Sequence, residues 1–194
     1  MYFNPPYPEL IALSWKPRGI DQVLVLGNYY WNSNYHRNTL YIRAFKAGNV
    51  NIGKAYGKAL ARSLTNITAD CIIPVPGDPM RNRARGFNPS IVLAEEISRV
   101  TGLPIIDALE KKPCTRAYVT SKKVLSQAYS LKSKISGSEI SGKVLLVDDV
   151  IASGKTKRIC ASLLKKAGAR KIIVLAIAKA ISVKRPKQLT FSWK

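Results

Sequence analysis

The sequence contains few of the residues on which several common kinds of site depend. Only one of its 194 residues is histidine and only three are cysteine. A cluster of metal-ligating histidines is therefore excluded, and His36 lies in no motif that would support Ser–His or Cys–His acyl transfer. Because Cys71, Cys114 and Cys160 are far apart and form no C-x-x-C pair, we expect neither a disulfide framework nor a zinc ribbon.

Long hydrophobic runs are also missing. The longest purely apolar stretch, Ile172–Ala178, is far shorter than the roughly 20 residues that cross a bilayer. The N-terminus, MYFNPPYPEL, has neither a basic start nor a long apolar segment, and so shows no secretory signal. With 46% hydrophobic and 22% charged residues, the composition is that of a globular chain rather than a disordered one. We expect one domain, no membrane segment and a cytoplasmic location.

Acidic residues are scarce, and their scarcity makes the chain strongly basic. There are 32 Lys and Arg against 11 Asp and Glu, for a formal net charge of +21, which predicts attraction to polyanions. One basic stretch without acids lies between Glu110 and Glu139. Its cations are Lys111, Lys112, Arg116, Lys122, Lys123, Lys132 and Lys134. Three interpretations stay open: a solvated loop, a nucleic-acid contact, or a mobile lid that closes on a phosphorylated ligand.

Buried strands and amphipathic helices alternate along most of the chain. The predicted elements, in order, are a helix capped by Asn51, a strand at Cys71–Val75, a helix from Asn88 to about Val100, a short strand near Leu103–Ile106, a strand at Lys143–Val147, a helix after Gly154 and a strand at Lys171–Ala178. This order predicts an α/β fold with a parallel sheet, right-handed crossovers and helices on both faces. In the helix after Gly154, we expect Ile159 and Leu163 to face the core and Lys157 to face water.

The segment VLLVDDVIASGKT, residues 144–156, carries the most specific signal in the chain. An apolar strand delivers Asp148 and Asp149 to its end, and small and hydroxylated residues lead from there into a helix. The carboxylates can accept hydrogen bonds from vicinal ribose hydroxyls, while the N–H groups of 152–156 and the positive helix end can surround a phosphate. A surface Asp-Asp turn is the alternative. Strand, acid pair, glycine loop and helix in this order favour a site for a sugar phosphate.

A second loop follows the strand that ends near Val75. Residues 76–86 have glycines near both ends and carry Arg81, Arg83 and Arg85 at alternate positions. Because loops after parallel strands converge at one edge of the sheet, this loop and the acid pair should be neighbours in space. Together they would suit a ligand with phosphates at two ends and a diol between them. The alternative for the three arginines is a solvated turn. Lys155 could contact a phosphate or simply face solvent.

The residues 144–156 resemble the signature for phosphoribosyl pyrophosphate (PRPP) of type I phosphoribosyltransferases. That signature has four apolar residues, two acids, a short apolar stretch, a hydroxylated residue, Gly, a variable residue and Thr. Ser153 stands where Thr is usual and keeps the hydroxyl. The pieces Ile73-Pro-Val-Pro76 and Arg85-Gly-Phe-Asn88 further resemble the competence protein F (ComF) family of predicted phosphoribosyltransferases.

The resemblance implies a Rossmann-like type I phosphoribosyltransferase fold with a flexible hood loop. It implies that Asp148 and Asp149 contact the ribose hydroxyls as catalytic residues. The 5′-phosphate would be held by Ala152, Ser153, Gly154, Lys155 and Thr156, and the pyrophosphate by Pro76, Gly77, Arg81 and Arg85. The hood would span 111–127 and include Arg116, Lys122 and Lys123. Mg²⁺ is implied as cofactor, held mostly by ligand and water, with the two acids as its candidate protein ligands.

Three functions follow as hypotheses. The first is an enzyme that transfers a 5-phosphoribosyl group from PRPP to a small nitrogenous acceptor, such as a nucleobase, and releases pyrophosphate. The second is a non-catalytic regulator that senses PRPP or a nucleotide, and the third is a nucleic-acid-associated protein of DNA uptake or repair. We expect an N-terminal extension at 1–50 that serves as hood or as the interface of a homodimer, a phosphoribosyltransferase core at 51–183 and a basic tail at 184–194.

Overall fold

The computed structural model describes residues 9–31, 35–113, 126–133 and 140–182 of the chain. Its strands are β1 (Ile11–Ala12), β2 (Gln22–Tyr30), β3 (Cys71–Pro74), β4 (Leu109–Lys111), β5 (Tyr129–Leu131), β6 (Lys143–Ile151) and β7 (Lys171–Ile181). Its helices are α1 (Arg37–Lys46), α2 (Val50–Arg62), α3 (Pro79–Arg85), α4 (Pro89–Thr101) and α5 (Lys155–Lys166). None of the helices described is long and apolar enough to span a bilayer.

A five-stranded sheet in the order β1-β2-β7-β6-β3 forms the centre of the fold, and β4 pairs with β5 separately. Strands β2, β7, β6 and β3 run parallel, whereas β1 is antiparallel to β2. Pro74, the last residue of β3, lies opposite Val147 of β6, directly before the acid pair. The turn after β3 and the acid pair of β6 therefore lie at the same carboxyl edge of the sheet.

The residues of β6 alternate between two hydrophobic clusters, one on each face of the sheet. Leu145 and Val147 belong to the cluster formed with α1, α2 and α4. Val144 and Leu146 belong to the cluster formed with α5 and the β4–β5 pair. A strand that is apolar on both faces is typical of a parallel sheet covered by helices on both sides. The predicted α/β class, with helices on both faces, is confirmed.

The 76–86 segment, predicted as a loop, contains the helix α3, so that prediction was wrong. The Asp78 side chain accepts a hydrogen bond from the Arg81 N–H, Pro79 stands in the first turn, and Gly86 follows the helix with a φ of 86°. These are ordinary start and stop signals of a helix. At 7 residues the helix is too short to show a clear apolar period, and none of its residues is buried.

Two further predictions were wrong in detail, and a third is confirmed only in part. Residues 103–106 form no strand but a single bridge between Ile105 and Ile72, and Pro104 has no N–H with which to extend the pairing. Asn51 does not cap a helix, because α2 begins at Val50 after Asn49. In α5, Ile159 and Leu163 pack against the core cluster but are only partly buried, whereas Cys160, Ala161 and Leu164 are fully buried.

The helix predicted after Asn88 is confirmed as α4. The Asn88 side chain accepts a hydrogen bond from the Ser90 N–H, and Gly102 ends the helix with a φ of 75°. The Asn88 amide also donates to the Val75 carbonyl at 3.2 Å. The N-terminus of α4 is thus fixed against the turn that follows β3.

Candidate active site

A cleft of about 200 Å³ opens at the carboxyl edge of β3 and β6. Its walls are the turn after β3, one side of α3, the first turn of α4, the acid pair and the first turn of α5. The lining residues are Val75, Pro76, Gly77, Asp78, Arg81, Asn82, Arg85, Asn88, Pro89, Ser90, Asp148, Asp149 and Thr156, with Lys46, Lys111 and Tyr129 from other segments. The two segments expected to converge, 76–86 and the acid pair, therefore do line one space.

Asp148 is held by groups from three elements. Its Oδ1 accepts hydrogen bonds from the Ser90 hydroxyl at 2.8 Å and from the Asp149 N–H at 2.9 Å. Its Oδ2 forms an ion pair with Nζ of Lys157 in α5. Its side chain is 13% exposed, so only a small part of the carboxylate is open to a ligand.

Asp149 is held by a residue that lies far away in the sequence. Its Oδ1 accepts a hydrogen bond from the Val150 N–H at 2.6 Å, and its Oδ2 pairs with the Lys46 Nζ at 3.0 Å. Lys46 is the last residue of α1, and its Nζ lies 5.9 Å from the centre of the Tyr29 ring. The β2–α1 segment therefore supplies a charged group to the cleft.

Lys157 of α5 is a buried cation beside the acid pair. It was expected to face water, but its side chain is 8% exposed, and its Nζ donates to the Val150 carbonyl at 2.9 Å as well as pairing with Asp148. Burial alone would lower the pKa of Lys157, but the attraction and hydrogen bond of Asp148 and the charge of Asp149 together raise it, so the ammonium group stays charged. Lys157 precedes the buried Cys160 and Ala161 by three and four residues. Residues at that spacing share one face of a helix, so the sequence did indicate that Lys157 faces the core.

The arginines of α3 point in two directions. Arg81 and Arg85, one helical turn apart, line the cleft. Arg83 lines a different cavity, with Pro79, Met80, Ala84 and Pro113. Pro76 and Gly77 line the cleft as well, and a side chain at Gly77 would collide with Asn82, since an added Cβ would lie 2.5 Å from its Oδ1.

Asp78 and Lys111 form a second charged contact in the cleft wall. The Lys111 Nζ lies 3.0 Å from Oδ2 of Asp78, and Oδ1 of Asp78 accepts the Arg81 N–H at 3.3 Å. Burial alone would raise the pKa of the Asp78 carboxyl, but these hydrogen bonds and the charge of Lys111 lower it overall. The Lys111 Nζ also lies 5.7 Å from the centre of the Tyr129 ring.

The expected phosphate loop, 152–156, is shaped by glycine and covered by an N-terminal tryptophan. Gly154 is buried with a φ of 72°, and an added Cβ would lie 2.5 Å from the Trp15 ring and 2.8 Å from Pro17. The Lys179 Nζ lies 5.1 Å from the centre of the Trp15 ring and donates to the Ala152 carbonyl at 2.5 Å. Ala152, Ser153 and Lys155 are exposed.

Thr156 is the residue of the 152–156 loop that lines the cleft itself. Its side chain hydrogen-bonds the Tyr129 hydroxyl, and burial raises the pKa of Tyr129 in spite of this bond and of the charge of Lys111. The 152–156 loop and the cleft are thus connected through Thr156 and Tyr129.

Several cleft residues were not predicted as part of the site, among them Lys46, Ser90 and Tyr129, and Lys111 was predicted only as the first residue of the hood. They come from other segments and meet the cleft only through the fold, and Ser90 lies 58 positions before its partner Asp148. The predicted hood residues Arg116, Lys122 and Lys123, and the basic tail 184–194, lie outside the described residues.

The described residues offer little to a metal ion. They contain no group of three or more His, Cys, Asp or Glu side chains that could hold one. Asp148, Asp149 and Asp78, the carboxylates of the cleft, each pair with a lysine. As they stand, these acids do not fit the role of Mg²⁺ ligands.

The chain matches a known family over more than half of its length. Residues 88–192, more than half of the chain, match the phosphoribosyl transferase domain model. The chain is 33% identical over 118 residues to competence protein F of Haemophilus influenzae, an alignment that covers 57% of this chain and 51% of the relative. It is 27% identical over 139 residues to the amidophosphoribosyltransferase of Escherichia coli, covering 70% of this chain and 25% of that enzyme. The chain thus spans about half and about a quarter of these two relatives.

Among solved structures, the chain is similar to the glutamine PRPP amidotransferase of B. subtilis complexed with ADP and GMP. The TM-score is 0.45 at 24% identity, with 64% of this chain and 25% of the other covered. A likeness at this level adds nothing on function.

Proposed function

This chain belongs to the phosphoribosyl transferase domain family, as a type I phosphoribosyltransferase similar to competence protein F, and we propose that its cleft binds PRPP. We further propose that it transfers the 5-phosphoribosyl group to a small nitrogenous acceptor and releases pyrophosphate. The observation that carries the proposal is the convergence of the acid pair with Arg81 and Arg85 around one cleft. Carboxylates for a diol and guanidinium groups for phosphates are the two chemistries that a phosphorylated pentose needs.

The proposed roles follow from position. Asp149, with its carboxylate beside the cleft, accepts hydrogen bonds from the ribose hydroxyls, and Asp148 fixes the strand end behind it. Arg81, Arg85 and the turn at 76–77 hold the pyrophosphate. The N–H groups at the start of α5 and the loop at 152–156 hold the 5′-phosphate, since the first N–H groups of a helix have no partner within it.

The proposed reaction forms a bond from the acceptor nitrogen to C1 of the ribose and breaks the bond from C1 to pyrophosphate. The nitrogen lone pair supplies the new bond, and the pyrophosphate oxygen leaves with the electrons of the old one. Positive charge develops on the ribose ring while negative charge grows on the leaving group. Arg81, Arg85 and Lys111 are placed in the cleft wall before the reaction starts, so they stabilise that anion without reorganising.

Calorimetric titration with PRPP tests the binding step. We expect saturable heat with the wild-type chain and a loss of about tenfold in affinity, about 1.4 kcal/mol, for Asp149→Asn. The matched control is Asp107→Asn, because Asp107 is an exposed acid that pairs with Lys132 outside the cleft. Absence of heat, or equal affinity of Asp149→Asn and wild type, would overturn the proposal.

A panel of nucleobases and other nitrogenous acceptors, with pyrophosphate release as readout, tests the transfer step. Release with one acceptor that is abolished in Arg81→Gln supports the enzyme. Tight PRPP binding without release across the panel supports the regulator instead.

A basic surface on α5 favours a second candidate function, nucleic-acid binding. A cavity of about 820 Å³ beside this helix is lined by the cations Arg18, Arg158, Lys165 and Lys166, and one acid, Asp21, lies near Lys165 at 3.3 Å. Phosphate contacts here would make DNA affinity fall steeply with salt. The expected result is that Arg158→Gln lowers the salt slope, while replacing Asp148 and Asp149 leaves DNA binding unchanged. A flat salt dependence would rule this function out.

A further inference from the structure

We propose that the site binds PRPP without a divalent cation, because lysines of the chain already neutralise the carboxylates that a cation would join. The inference rests on the proposed function and concerns the same cleft. Phosphoribosyltransferases generally use Mg²⁺ to bind PRPP. In this chain the donor set around the cleft departs from what that ion requires.

The acids of the cleft are already paired with donors of the chain. Three carboxylates line the cleft, those of Asp78, Asp148 and Asp149. In each, one oxygen accepts a backbone N–H and the other is paired with a lysine ammonium group. Every carboxylate oxygen of the set therefore has a donor before any ligand enters, although its second lone pair can still accept a hydrogen bond from a ribose hydroxyl. A divalent cation would have to displace an ammonium group or sit beside it.

The cleft carries more positive groups than negative ones. Four lining residues are cations, Lys46, Arg81, Arg85 and Lys111, and Lys157 lies directly behind Asp148. Five positive groups thus surround three negative ones. Such a cleft attracts a free phosphate ester and repels a free metal ion, and both effects strengthen where water is excluded.

Lys157 is a buried cation next to the acid pair. It is 6% exposed as a residue, and a buried lysine is costly unless it is paired. Its pairing with Asp148 places a permanent positive charge directly behind the acid pair. Lys46, which lines the cleft, places a second positive charge beside Asp149, with its Nζ 3.0 Å from the Asp149 Oδ2. Both are positioning residues that act on the ligand through the acids.

The arrangement therefore has a built-in counter-charge. A metal-dependent site brings positive charge with the ligand, whereas here the positive charge is part of the fold. Because the ammonium groups are already in place, the pyrophosphate and the acid pair can occupy one cleft without an added cation between them.

Calorimetric titration of the full chain with PRPP, once in excess EDTA and once in millimolar Mg²⁺, tests the inference. We expect affinities that agree within about threefold in the two buffers for the wild type. Lys46→Gln removes one counter-charge on a partly exposed side chain, and we expect it to weaken PRPP binding in EDTA by about tenfold and to recover when Mg²⁺ is added. Recovery by Mg²⁺ is a result that a merely structural role of Lys46 would not produce.

Two further variants keep the test informative. Lys157→Met should behave like Lys46→Gln if it folds, and Lys46→Gln carries the test by itself if it does not. The matched control is Lys58→Gln, because Lys58 is a surface lysine that pairs with Glu96 at 3.8 Å outside the cleft. We expect its PRPP affinity to equal that of the wild type in both buffers.

The outcomes separate this inference from the proposed function. Wild-type binding that appears only with Mg²⁺ overturns the inference and leaves the proposed function standing. Equal EDTA affinities of Lys46→Gln and wild type also overturn it. No binding in either buffer overturns the proposed function, and the inference with it.

Discussion

The acid pair and the loop that follows it are neighbours in sequence, but different forces hold them in place. The acid pair is fixed by ammonium groups from other elements, Lys46 and Lys157. The 152–155 loop depends on backbone conformation and packing, with Gly154 at a φ of 72° against Trp15. A buried charge loses its compensation completely when its partner is removed, whereas a packed loop fails only when atoms collide. Substitutions that remove a charge should therefore destabilise the acid pair, and substitutions that add volume should destabilise the 152–155 loop.

The largest effect is expected from removing the buried cation behind the acid pair. Lys157→Met keeps the volume but leaves Asp148 without its ion pair, and we expect the free energy of unfolding to fall by about 3–5 kcal/mol. Denaturant unfolding measures this, with the exposed Lys166→Met as control. Adding Asp148→Asn to Lys157→Met should restore part of the loss, because the uncompensated charge is then gone. A loss below about 1 kcal/mol in the single variant would show that charge does not hold this region.

The packed loop should respond to a single methyl group. Gly154→Ala puts a Cβ 2.5 Å from the Trp15 ring, whereas Gly102→Ala, at a similar φ of 75°, meets nothing within 4 Å. Both variants place an alanine in a left-handed backbone conformation, which destabilises each of them by a similar amount. The difference between their free energies of unfolding therefore measures the collision with Trp15. We expect Gly154→Ala to be less stable by about 1–3 kcal/mol more than Gly102→Ala in denaturant unfolding. The difference should shrink in a Trp15→Ala background, and equal losses in the two glycine variants would contradict the packing account.

A binding effect of intermediate size should distinguish the two directions of the α3 arginines. Arg81 lines the cleft and Arg83 does not. We expect Arg81→Gln to weaken PRPP binding by about tenfold, about 1.4 kcal/mol, and Arg83→Gln to leave it unchanged. Calorimetric titration measures both under one condition. Equal losses would indicate attraction by general positive charge rather than contact with the ligand.

We expect the smallest effect on stability from the ion pair of Asp78 with Lys111. The Asp78 carboxylate is less buried than that of Asp148. The pKa of Asp78 is lowered from its ordinary value of 3.8. Its contribution to stability is therefore fully present above pH 3.8 and is lost as the pH falls through the lower pKa of the folded state. We expect Lys111→Gln to reduce this acid-sensitive contribution, by about 0.5 kcal/mol or less because the pair is partly exposed. Urea unfolding from neutral to acid pH measures it, and parallel pH curves for variant and wild type would contradict it.

The sequence carried enough information for the elements that are continuous in it. The apolar run before the acid pair predicted β6, and Asn88 with Pro89 predicted the start of α4. The same kind of signal was present for α3, where Asp78 and Pro79 precede the helix and Gly86 follows it. Glycines and prolines are equally typical of a loop, and no residue of α3 is buried, so no apolar period distinguishes this helix from a loop.

The parts of the site that were missed depend on contacts between distant segments. Lys46 reaches Asp149 because β2 pairs with β7 beside β6, and α1, which follows β2, ends near the acid pair. Trp15 lies in the segment between β1 and β2 and reaches Gly154 through the same sheet. No local pattern encodes such contacts. Lys157 is different, since its spacing from Cys160 and Ala161 indicated a buried position. Its charge outweighed that signal in the prediction, although a buried lysine is acceptable where a carboxylate pairs with it.

A crystal structure of the chain grown with saturating PRPP tests the central claim most directly. The account predicts density for the ribose hydroxyls within hydrogen-bond distance of Asp149, for the pyrophosphate beside Arg81 and Arg85, and for the 5′-phosphate at the N–H groups of 152–156. An empty cleft at saturating PRPP, or PRPP bound at another surface of the chain, would contradict it.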